Sequence, residues 1–94
     1  MVPIEVFLLL TEPRPGAGAA VAAALRRLTE IEAAVSHVYV AAPESTHVAA
    51  VIFVRAESAE WARTEVAGVC SRMRGALSVP FQLDLGSPGV MSWT

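Results

Sequence analysis

The chain has no lysine, no asparagine and a single cysteine, and its seven basic residues are all arginine. One cysteine forms no internal disulfide, so a reducing, cytoplasmic setting is expected. The absence of lysine removes the phosphate-gripping residue of a P-loop. The arginines, at 14, 26, 27, 55, 63, 72 and 74, are scattered, and the net charge is −2. A nucleic-acid binder gathers positive charge into a stripe that displaces counterions. Polybasic membrane attachment needs the same clustering. Neither nucleic acid nor a membrane is therefore an expected partner. Long apolar runs are missing too. Val6–Leu10 is too short to span a bilayer. With Glu5 before it and no positive n-region, it does not read as a signal peptide.

What remains is rich in apolar residues, 54% of the chain against 17% charged, which excludes disorder of the low-hydropathy, high-charge kind. The many alanines and arginines read as bacterial-type base composition more than as function. Ninety-four residues suit one domain, 1–94, with residues 87–94 as a C-terminal tail.

Val2–Leu10 reads as a strand apolar on both faces. The segment Thr11-Glu12-Pro13-Arg14-Pro15-Gly16 breaks it, since prolines and a glycine do not continue a ladder. From about Gly16 to Ala34 the apolar spacing is helical, through Val21, Ala24, Leu25, Leu28, Ile31 and Val35. Ser36–Ala41 and His47–Arg55 return to strand periodicity, joined by a connection of hairpin length. Ser58 stands where an N-cap belongs, and the second helix buries Ala62, Val66, Val69, Cys70, Met73 and Leu77, with Gly75 as its C-terminal cap. Val79–Leu85 is a last strand, and Pro80 suits an edge position.

This βαββαβ order, with right-handed crossovers, predicts a ferredoxin-like α+β fold. It is a four-stranded antiparallel sheet of order 4-1-3-2 with both helices on one face. The central strands would be the first and third, the two that are apolar on both sides. Ile4, Val6, Leu8 and Leu10 would face the helices. Period-two geometry then puts Glu5, Phe7, Leu9, His37, Tyr39, His47, Ala49, Val51, Phe53, Arg55, Gln82 and Asp84 on the other face. The middle of that face is greasy and its margins are polar, the mark of an interface or a ligand groove. Burying Phe7, Leu9, Val51 and Phe53 in both copies of a pair is worth roughly 12–24 kcal/mol. Association costs about 4–15 kcal/mol. A face-to-face homodimer through Phe7, Leu9, Tyr39, Val51 and Phe53 is expected, with a side-by-side pair that leaves the face for another use as the alternative.

Candidate chemistry is sparse, and neither a metal site nor a cofactor is expected. His37 and His47 invite an acid–base reading together with Tyr39 and Arg55. A hairpin turning near Glu44 would set Tyr39 opposite Ala49 and His37 opposite Val51. The histidines then lie well over about 10 Å apart, too far to share an ion. Cys70 falls on a buried helix face, where a thiol behaves as a small hydrophobe. Glu30 and Glu32 read as solvated surface, and Trp61 as a lid on the helix start. Phe7 and Phe53 sit where an RNA-recognition fold stacks bases, but Val48–Arg55 lacks the Lys/Arg-Gly-aromatic signature. Acylphosphatases share the topology and need an asparagine that this chain lacks.

The most specific local feature is the loop between the first strand and helix. Glycines leading into a helix let backbone N–H groups approach an anion, and Arg14 adds a bidentate grip, so Arg14, Gly16 and Gly18 are the candidate ligand residues. The bland alternative is that Pro15 and Gly16 simply start the helix. Here the chain resembles ACT domains, βαββαβ modules that sense small ligands, whose turn reads Asp-Arg-Pro-Gly. Arg14-Pro15-Gly16 match that turn directly, and Glu12 is displaced from the acid's place by Pro13. The resemblance implies a small anionic or amino-acid-like ligand near Arg14 and Gly16 at a subunit interface. Two functions follow as expectations. The first is a small homodimeric ligand- or partner-binding module without catalysis of its own. The second is a dimeric α+β barrel enzyme of the small monooxygenase or cyclase type, its pocket on the uncovered face.

Overall fold

Every second residue of the opening strand is buried: Ile4, Val6, Leu8 and Leu10. Those four side chains are the floor on which the rest of the molecule packs. The computed structural model describes residues 1–12, 14–41, 46–77 and 80–85. Its elements run β1 (Val2–Leu10), α1 (Ala17–Ile31), β2 (Val35–Val40), β3 (His47–Val54), α2 (Ala59–Ala76) and β4 (Phe81–Leu85). The strands form one antiparallel sheet in the order β2-β3-β1-β4, which is 4-1-3-2 read from the opposite edge. The fold is α+β.

Both helices lie against the face that carries Ile4, Val6, Leu8 and Leu10. Helix α1 sits over β2 and β3, and α2 over β1, β3 and β4. Val21, Leu25 and Leu28 from α1 join Val66, Val69, Cys70 and Met73 from α2 in one core with Val48, Ile52 and Val54 of β3. No polar or charged side chain is buried among the described residues, so desolvation opposes the core nowhere. No helix is long and apolar enough to cross a membrane among those residues.

Ser58 caps α2 as its residue type predicts, its Oγ accepting from Trp61 N–H at 3.2 Å. The other ends differ from expectation. Gly75 lies inside the last turn of α2, and the extended residue that ends the helix is Leu77, whose N–H bonds Met73 O. Helix α1 stops at Ile31 instead of Ala34, because Glu32 is already extended and Val35 N–H turns back onto Glu32 O. Ile31, counted in the buried stripe, is left exposed at the helix end. Val35 is buried as expected, but as the first residue of β2 rather than as helix. A bulge makes this possible. Val35 pairs with Val54 and His37 with Phe53, so Ser36 is an extra residue and Val35 keeps the core side that Val38 and Val40 share. Trp61 does not lid the helix start: it is 62% exposed.

The β2–β3 register is two residues from the expected one. Tyr39 faces Val51 and His37 faces Phe53. An even slip preserves the faces, so the inward and outward sets survive. The expected turn at Glu44, Val79 at the start of the last strand and the tail 87–94 lie outside the described residues.

Candidate functional site

The uncovered sheet face is a grid whose rows follow from the pairing. One row holds His37, Phe53 and Pro3, and the next holds Tyr39, Val51 and Glu5. The third holds Ala49, Phe7 and Asp84, and the fourth His47, Leu9 and Gln82. Period-two geometry alone turns these side chains away from the helices. Phe7 is 42% exposed, Leu9 53% and Tyr39 62%, so large apolar surface lies open in the middle of the sheet. Val51 is different. Although no helix or strand among the described residues covers it, it is only 8% exposed, screened by the larger side chains around it. It therefore offers little surface to a partner, and Phe53 is half-buried in an end row.

Two bulky groups stand apart on this face, one at the β2 edge and one on the interior strand β1. His37, Tyr39 and Phe53 form an edge-to-face trio with ring centroids 4.5 Å (His37–Tyr39), 6.2 Å (His37–Phe53) and 6.0 Å (Tyr39–Phe53) apart. Phe7 and Leu9 form the second. Between them runs a low band through Ala41, Ala49 and Val51, part of a groove of about 540 Å³ whose walls include Tyr39 and Phe53.

The polar residues proposed for catalysis do not converge. His37 is held in the aromatic trio. His47 lies six residues along the ladder from the row of His37, roughly 20 Å away. Its Nδ1 is 3.1 Å from Thr46 Oγ1. Arg55 belongs to the uncovered face by periodicity, yet its Nη1 donates to Ala33 O at 2.6 Å, which ties the guanidinium to the turn before β2. Tyr39 thus has the His37 and Phe53 rings as neighbours. Among the described residues, no group of three or more His, Cys, Asp or Glu is placed to hold a metal. Cys70 is buried in α2, and desolvation pushes its thiol up to about 11, with Arg74 offsetting a little. A thiol that stays protonated is a poor nucleophile.

The loop before α1 is placed differently from either reading of it. Gly16 is the N-cap, at φ 82°, and the helix begins only at Ala17, so Pro15 is not the first helical residue. Ala17 N–H bonds Arg14 O and Ala20 N–H bonds Gly16 O, both at 3.0 Å. Gly18 is buried inside the first turn and is packed, not open to solvent. Arg14 is exposed.

Sequence reasoning missed two pairs. Glu32 receives a bidentate grip from Arg72, at 2.7 and 3.1 Å, which joins the end of α1 to α2. That hydrogen bond holds the Glu32 carboxyl below its ordinary range despite a small opposing desolvation, and the Arg72 guanidinium is shifted up in turn. Arg74 lies over the Phe81 ring, 4.8 Å from its centroid. Glu32 and Arg72 are 40 residues apart, and Arg74 and Phe81 lie on different elements, α2 and β4, so no periodicity within one element signals either contact.

No family model matches the chain, and no curated protein matches it. A solved structure that aligns with it is the crystal structure of a protein of unknown function from Nitrosomonas europaea. The alignment has 18% identity and a TM-score of 0.46, and covers 100% of this chain and 96% of that one.

Proposed function

We propose that this chain is a small, non-catalytic binding module of ferredoxin-like architecture that works by contact through its uncovered sheet face. The observation that carries this is the exposure of Phe7, Leu9 and Tyr39 together on a face that no helix covers. Apolar surface gathered in one patch favours a partner over water. The dispersal of His37, His47 and Arg55 argues against acid–base chemistry, which needs its groups within hydrogen-bond reach of one reacting centre. An enzyme of the dimeric α+β barrel type is a second reading, favoured by the volume of the groove beside Tyr39. One buried thiol fits a cytoplasmic setting.

Hydroxyl-radical footprinting of the native protein tests the main reading. Phe7, Leu9 and Tyr39 should oxidise far more slowly than their exposure in a single chain allows, because something lies against them. Rates matching that exposure would mean a wet face and would remove the proposal.

The likeness of Arg14-Pro15-Gly16 to the ACT turn supports a second, smaller site for an anionic or amino-acid-like ligand at the start of α1. The test is a thermal-shift screen with free amino acids and dicarboxylates. Stabilisation should appear with the native chain and vanish in Arg14→Ala. A shift unchanged in that variant would leave the loop a plain helix start.

A further inference from the structure

We infer that the occupant of the uncovered face is a second copy of this chain, meshed about a two-fold axis that runs along the strands between β1 and β3. This rests on the reading that the face is a contact surface, and adds to it both the partner and the fit.

Size is the first argument. Strands of nine, six, eight and five residues, at about 3.3 Å per residue and about 4.8 Å apart, give a face of roughly 440 Å². Two such faces bring the buried area to roughly 900 Å², close to the roughly 1,000 Å² at which specific association begins, so the fit between the faces has to carry the pair. A small molecule in the groove would leave Phe7 and Leu9 uncovered, because neither is among the residues that wall it.

Shape is the second argument. Phe7 of β1 pairs directly with Ala49 of β3, and Pro3 pairs with Phe53. Each of these rows sets a bulky ring beside a small residue. An axis between the two strands exchanges β1 for β3 in the partner copy. Phe7 then descends onto the partner's Ala49, and Phe53 onto the partner's Pro3. Each ridge meets a hollow, and an isologous contact makes every such fit twice.

Charge is the third argument. The same operation sets Glu5 over the partner's Val51 and Asp84 over the partner's Ala41, so no two acids meet. The partner's Tyr39, one strand further out in the row of Val51, comes alongside Glu5. Its phenol O–H is then a donor for a carboxylate that would otherwise lose water without compensation.

Exchange of the large and small partners tests this. By light scattering and sedimentation, the native chain should weigh twice its 9.9 kDa. Phe7→Ala and Ala49→Phe should each raise the dimer dissociation constant about a hundredfold, as two symmetric losses of at least about tenfold each. The double variant, with ring and methyl exchanged, should return to within about tenfold of the native constant. Both side chains face away from the core, and a cooperative melt confirms that each variant is folded. A native monomer overturns the inference. So do single variants that dimerise normally, or a double variant weaker than either. If footprinting shows the face covered while the exchange has no effect, the contact-surface reading stands and the second copy is not its occupant. If the face is wet, both fall.

Discussion

Cys70 shows how far one residue's surroundings redirect its chemistry. Its thiol is packed among Val66, Val69 and Met73 on the core side of α2. Burial raises its pKa from 9.0 to about 11. Ionisation is therefore harder in the folded chain than in the unfolded one. Below pH 9 both states hold the proton, and the group contributes nothing to pH dependence. Between pH 9 and about 11 the unfolded state releases the proton first, so stability falls, by on the order of 2–3 kcal/mol. Urea unfolding at pH 8 and pH 10.5 should show that loss in the native protein and much less of it in Cys70→Ala. Equal slopes against pH in the two proteins would contradict the assignment. Arg55 teaches the same lesson. Its position in the strand pattern makes it a cation on the outward face, but its bond to Ala33 O turns it into a brace for the turn before β2.

At the scale of elements, the start of α1 rests on one backbone conformation. Gly16 has φ 82°, a region that L side chains rarely adopt, and a Cβ added there meets nothing within 4 Å. Any cost of replacing it is thus backbone strain and not collision. Gly16→Ala should lower unfolding free energy by about 1–2 kcal/mol, read from urea midpoints at constant slope. No change would mean that the turn relaxes. The far end of α1 is fixed differently, by Glu32 and Arg72 across the gap between helices. Arg72 is exposed and Glu32 partly covered, so solvent screens the pair, which locates the helix end more than it stabilises the fold. Because the Glu32 carboxyl sits below its ordinary value of 4.5, whatever the pair contributes is present above that pH and fades as pH falls through the lowered value. Element types were legible because each has its own apolar period. Element ends were less so, because the residues that set them are a turn, a bulge at Ser36 and a contact with the other helix.

For the whole molecule, the governing fact is geometric: two helices shield one side of four strands, and β1 and β3 are apolar on both. The outward set of Phe7, Leu9 and Tyr39 was readable from alternation alone, since one step along a strand reverses the side chain's direction. The layout of that set was not. Which ring lies beside which methyl depends on how β1, β3 and β2 pair, and the hairpin register falls two residues from the one that loop length suggests.

Alternation and composition by themselves determined the order of elements, the inward core and the apolar character of the opposite face, because burial of a periodic pattern admits few arrangements. Tertiary structure alone decided that Val51 is screened, that Arg55 turns away to Ala33, that His37 joins an aromatic trio while His47 lies at the far end, and that Glu32 meets Arg72. Those outcomes depend on distances between residues remote in the chain, which folding sets and local sequence does not encode.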